Sequence, residues 1–102
     1  MNVILYLCEG KYAGPGALEF NAPQVGAHHK FLLFLRQADP APSYPDASAE
    51  AARFGFAPVN VLNGKQLDVE SLNSMSGFTK HYEEALSQGS SLLWYPQSNA
   101  QA

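Results

Sequence analysis

The chain holds a single cysteine, Cys8. No internal disulfide can form, and a disulfide-rich secreted scaffold is excluded. Charge is sparse: 15% of the residues are Asp, Glu, Lys or Arg, and the formal net charge is −3. The six basic residues, Lys11, Lys30, Arg36, Arg53, Lys65 and Lys80, are never adjacent. Without a basic stripe to neutralise a phosphate backbone, nucleic acid is not an expected partner. No apolar run approaches the ~20 residues of a spanning helix, so no membrane partner is expected either. Met1 leads straight into an apolar stretch with no basic n-region or small-residue cleavage site, and the expectation is a soluble cytoplasmic protein.

What is present is a set of apolar runs. Hydrophobic residues make up 46% of the 102 residues and aromatics 12%, enough for one domain over 1–102 with its own core. Three stretches are apolar on both faces of a would-be strand: Val3-Ile4-Leu5-Tyr6-Leu7-Cys8, Phe31-Leu32-Leu33-Phe34-Leu35 and Leu92-Leu93-Trp94-Tyr95. A strand with one wet face alternates apolar and polar residues; these do not, so both faces of their sheet are expected to be covered.

The runs predict strands over 2–8, 29–37 and 91–95. Residues 9–28 hold four glycines and two prolines and read as a long loop, with one short strand at 16–20 and Leu18, Phe20 and Val25 as its apolar anchors. Pro40, Pro42 and Pro45 make 38–45 a stiff linker. A short helix follows over 46–54, closed by a left-handed Gly55, with Ala49, Ala52, Phe54 and Phe56 as its packing residues. Asn63-Gly64 suits a type I′ turn and predicts a hairpin of 58–62 with 65–68. A helical turn over 70–75 precedes a second helix, 78–88, whose Phe78, Tyr82, Ala85 and Leu86 recur at helical spacing and which Gly89 ends. Residues 97–102 read as a frayed polar tail.

After the first strand the order is βαββαβ, the split β-α-β plan of the ferredoxin-like fold. The expected fold is therefore α+β: a mostly antiparallel sheet, an extra N-terminal strand, and two helices packed on one face by right-handed crossovers. Such a sheet bares its other face, and four to six large side chains form an apolar patch larger than monomers expose. A homodimer through that face is the simplest cover, with Tyr6, Phe34, Leu93 and Tyr95 as expected interface residues. The competing cover is loop 9–28 folding back.

Candidate chemistry is thin. His28 and His29 are adjacent and in a strand point to opposite faces, and His81 lies on the second helix, so three ligands do not converge and no metal is expected. Cys8 at the end of an apolar strand reads as buried and inert. The glycines at 10, 14 and 16 match no phosphate-binding pattern, and no serine elbow or convincing carboxylate pair is present, so no cofactor is expected and the residues point away from catalysis. If a ligand pocket exists, the place for it is where loop 9–28 meets strands 2–8 and 91–95, with Tyr12, Glu19, His28 and Trp94 lining it.

The segment Phe78–Leu86 followed by Gly89-Ser90-Ser91-Leu92-Leu93-Trp94-Tyr95-Pro96, with Ala51-Ala52-Arg53-Phe54-Gly55-Phe56 ahead of a strand, resembles small uncharacterised bacterial α+β proteins encoded by mobile integron gene cassettes. The resemblance covers the last two-thirds of the chain and implies a small oligomeric protein, with no functional residue to carry over. Three functions fit: a self-associating interaction module, a small-molecule-binding protein or enzyme on a ferredoxin-like dimer, and an immunity- or antitoxin-like partner of another protein.

Overall fold

A computed structural model describes residues 2–14, 16, 23–67 and 78–98. They form β1 (Asn2–Tyr12), β2 (His28–Gln37), α1 (Tyr44–Arg53), β3 (Phe56–Gln66), α2 (Thr79–Gln88) and β4 (Ser90–Ser98). The strands make one antiparallel sheet in the order β3-β1-β2-β4. This is an α+β fold with an extra N-terminal strand on a ferredoxin-like plan. Its split β-α-β unit is β2-α1-β3, because both β2 and β3 run antiparallel to the β1 strand between them.

The unbroken apolar runs account for the sheet's centre. In β1, Ile4, Tyr6 and Cys8 face one side and Val3, Leu5 and Leu7 the other. Their β2 partners follow suit: Tyr6 lies opposite Leu33 and Cys8 opposite Phe31, while Leu5 lies opposite Phe34 and Leu7 opposite Leu32. Each face holds its own core. The first packs Ala47 and Ala51 of α1 with Phe54 and Phe56 against Ile4, Tyr6, Phe31 and Leu33. The second packs Ala85 of α2, with Phe78 and Tyr82, against Val3, Leu5, Leu32 and Phe34.

The two helices therefore cover opposite faces of the sheet, and the expectation of two helices on one face is corrected. The cause is the segment read as a hairpin, which is the single strand β3. Without a second hairpin strand, α2 links β3 to β4, which run antiparallel at opposite edges. The right-handed rule for parallel crossovers does not tie such a helix to the face that α1 occupies. Gly64 sits in mid-strand opposite Tyr6, where a Cβ would come within 2.8 Å of the Tyr6 ring. The glycine serves a close approach instead of a turn. Leu62 is the extra residue of a bulge between Val61, opposite Cys8, and Asn63, opposite Leu7.

Both helices end as their glycines predict, with Gly55 at φ 107° and Gly89 at φ 102°. The packing phase of α1 differs from expectation. Ala47 and Ala51 are buried where Ala49 and Ala52 are exposed, because α1 begins at Tyr44 with Pro45 in its first turn. In α2 Ala85 is buried with Phe78 and Tyr82 packed beside it, as expected, while Leu86 stays exposed.

The proline linker is pinned by Tyr6. Its hydroxyl donates to Gln37 Oε1 at 2.8 Å and accepts the Ser43 N–H at 2.8 Å, while Gln37 Nε2 donates to the carbonyls of Asp39 and Ala41. No helix among the described residues is long and apolar enough to cross a membrane. The short strand read at 16–20 and the helical turn read at 70–75 lie outside the described residues, apart from Gly16.

Candidate functional site

Of the described ligand residues expected from the sequence, Tyr12 and Trp94 share one core and His28 stands apart from them. Tyr12 is buried in the α1-side core, edge-on to Phe56 at 5.4 Å. Trp94 packs on the same core and stands edge-on to His29 at 4.9 Å. His28 is exposed opposite Lys11, a position on the α2 side of the sheet. Glu19 lies outside the described residues. The four expected interface residues also fall apart. Tyr6 and Phe34 point to opposite faces and are fully covered within the chain, so they offer a second copy no surface. Leu93 is half-buried and Tyr95 exposed, both on β4.

Cys8 is fully buried, and burial pushes its thiol up to about 12. A thiol so rarely ionised is not a nucleophile at neutral pH. His29 is buried and its Nδ1–H donates to the Tyr95 carbonyl at 2.8 Å; a carbonyl can only accept, so the bond fixes the tautomer. His81 Nδ1 lies 2.7 Å from Ser91 Oγ, and its ring stacks on Phe34 at 5.4 Å. Desolvation lowers the pKa of His81, against an opposing pull from Glu84. The pair has the composition of a nucleophile and its base, but Ser91 is 1% exposed and no substrate atom can reach it. It fastens α2 to β4. Among the described residues no group of three His, Cys, Asp or Glu side chains could hold a metal ion.

The polar groups that do gather lie where α1 ends and β4 begins. Leu35 of β2 pairs with Ser90, and the Arg36 N–H donates to the Gly89 carbonyl, so the end of α2 and the start of β4 are anchored to the end of β2. Arg36 Nη1 adds a 2.6 Å bond to the Leu86 carbonyl of α2. Glu50 and Arg53 are one helical turn apart, and Arg53 Nε and Nη2 donate to Glu50 Oε2 at 2.9 and 2.7 Å. Ser90, itself buried, donates its hydroxyl to the same Glu50 oxygen and accepts from Arg53 Nη2 at 3.0 Å. The guanidinium lies 4.7 Å over the Phe54 ring.

These residues line a cleft of about 460 Å³ together with Leu35, Glu84, Gln88 and Gly89. Burial pushes the Glu50 carboxyl up, but the hydrogen bonds from Arg53 and Ser90 and the Arg53 charge outweigh it, and its pKa falls below the usual value. The bond to Glu50 raises Arg53 in turn. Both stay ionised at neutral pH and cancel one another. What remains is the Glu84 carboxylate, which favours positive charge; the carbonyl end of α2 is already met by the Arg36 guanidinium at Leu86. The floor, Leu35 and Phe54, is apolar.

A carboxylate with a depressed pKa is too weak a base to activate Ser90, and among the described residues no other base is hydrogen-bonded to that hydroxyl. The arrangement is suited to holding a ligand. Of its residues, only the Glu50–Arg53 pair leaves a trace in the sequence, as an ordinary i, i+3 helix pair. Ser90 lies 37 residues beyond Arg53, and nothing in the sequence brings the two together. Comparison with protein-family models, curated protein sequences and solved structures finds no match.

Proposed function

We propose that this chain is a non-catalytic binding module whose ligand is a small organic cation with an apolar body, held in the cleft between α1, α2 and the start of β4. One observation carries the reading: a cleft of about 460 Å³ in which Arg53, the one cation among its described lining residues, is neutralised within the site by Glu50, leaving Glu84 to set the field. An ammonium or guanidinium group would sit towards Glu84 and Gln88, and its hydrocarbon part on Leu35 and Phe54. Because Glu50, Arg53 and Ser90 already hold one another, the wall they form needs little ordering when a ligand arrives.

The test is a thermal-shift screen of primary amines and guanidinium compounds beside carboxylates of matched size. At a ligand concentration ten times Kd, binding stabilises by about 1.4 kcal/mol, a rise of about 6–11 °C in Tm for a domain of this size. At least one cation should give a saturable rise that Glu84→Gln reduces. A flat response to every cation, or equal shifts with the carboxylates, overturns the reading.

A further inference from the structure

Phe54 is the one aromatic ring among the described residues that line the cleft, and the chain sets its own cation on it: the Arg53 guanidinium lies 4.7 Å from the ring centroid. Arg53 is held there from two elements. Its Nε and Nη2 donate to Glu50 Oε2 of α1 at 2.9 and 2.7 Å, and Nη2 also donates to Ser90 Oγ of β4 at 3.0 Å. A planar guanidinium tied at two nitrogens has little freedom to swing off the ring. Phe54 is 8% exposed, so almost none of its surface is left for a second cation. What the cleft offers a ligand's charge is hydrogen-bond acceptors. The half-buried Glu84 carboxylate accepts no hydrogen bond from the described residues, and Gln88 stands exposed one turn further along α2.

We propose that Arg53 determines the specificity of this cleft. By covering Phe54 it leaves only the oxygens of Glu84 and Gln88 for the ligand's charge, so the charged group must carry N–H donors, as a primary amine or a guanidinium does, and a quaternary ammonium is refused. The inference rests on the cation reading of the cleft given above. A charged N–H meets a carboxylate oxygen at hydrogen-bond distance, and such bonds are among the strong ones. A quaternary nitrogen has no hydrogen to donate, and its alkyl groups hold the charge away from Glu84. Aromatic faces are what recognise such an ion, and here the one face is taken.

The test compares butylamine, butylguanidine and butyltrimethylammonium, which share an alkyl chain and a charge. Their binding is read from the amide shifts of residues 84–90, on the natural chain and on the double variant Glu50→Gln with Arg53→Ala. The double variant removes one charge of each sign and keeps an oxygen at position 50 for the Ser90 hydroxyl, while it bares the Phe54 ring. In the natural chain the two N–H cations should bind at least about tenfold more tightly than butyltrimethylammonium. In the double variant the quaternary ion should gain about tenfold on butylamine, the worth of a cation–π contact in a partly dry site. Equal binding of butylamine and butyltrimethylammonium by the natural chain overturns the inference and leaves the cation reading standing. Discrimination that survives undiminished in the double variant overturns the role given to Arg53. If none of the three binds the natural chain, the inference falls together with the reading beneath it.

Discussion

Phe34→Ala puts the packing of α2 to a direct test. Phe34 is fully buried, edge-on to Phe78 at 5.6 Å and stacked on His81. A phenylalanine buries roughly 150–250 Å², which at ~25 cal/mol per Å² corresponds to roughly 4–6 kcal/mol as an upper bound. Truncation to alanine keeps part of that burial but leaves a cavity, and such replacements cost about 3–5 kcal/mol. A domain of this size has about 5–15 kcal/mol of stability in all. The loss is therefore large, and with an m-value of roughly 1.5 kcal/mol per M it moves the urea midpoint down by about 2–3 M. The assay is urea unfolding followed by circular dichroism at several protein concentrations. If α2 covers this face, the midpoint shift is the same at every concentration, because the contact lies within one chain. A cost below about 1 kcal/mol, or one that fades on dilution, would show that Phe34 is not covered by its own chain, and the assignment of α2 to this face would fall.

Three further outcomes follow from other parts of the structure. Gly64→Ala places a methyl group 2.8 Å from the ring of fully buried Tyr6 and 3.1 Å from Pro42 Cβ, so overpacking should cost about 1–3 kcal/mol in the same unfolding assay. His81 has a folded-state pKa below its unfolded value, so the unfolded chain binds the extra proton first. Its stabilising effect is complete above about pH 6.5 and is lost as pH falls from there through the folded-state pKa. His81→Gln should flatten the stability profile in that window, leaving the fall at lower pH to groups such as Glu50, whose carboxyl is lowered. Cys8, with its thiol near 12, is a thiolate in roughly one molecule in ten thousand at pH 8, so a thiol reagent should label it only after denaturant is added. Rapid labelling of the native chain would contradict its burial.

The parts of this fold that could be read in the sequence are those set by a single short stretch. Val3–Cys8, Phe31–Leu35 and Leu92–Tyr95 are strands because nothing polar interrupts them, and an uninterrupted run has only one way to bury both its faces. Gly55 and Gly89 end helices because the left-handed turn is free of strain for glycine alone. His28 and His29 point to opposite faces because strand residues alternate, but which of them is buried depends on the partner strand. His29 lies across from Gly10, which has no side chain, and beside the Trp94 ring; His28 lies across from Lys11.

The readings that failed concern one signal with two physical causes. Asn63-Gly64 is the pair that a tight turn wants, but a glycine is equally needed where another side chain presses on the backbone, and at Gly64 that side chain is Tyr6, 58 positions earlier. Reading it as a turn created a hairpin. The hairpin implied parallel crossovers, and the crossovers placed both helices on one face. The bare apolar face was a consequence of that step. With Gly64 in mid-strand, α2 takes the second face. The cleft was illegible for a related reason: Glu50, Arg53, Ser90 and Glu84 come from three elements on both sides of the sheet, and their meeting depends on where α2 ends. A variant that made Gly64 bulky would therefore test more than local packing. If the mid-strand contact with Tyr6 sets the course of β3, Gly64→Val should disturb α1 and the Glu50–Arg53–Ser90 cluster along with it, which amide chemical shifts of those residues would report. Shifts confined to Asn63–Lys65 would mean that β3 keeps its path without the contact, and that something other than Gly64 holds the strand straight.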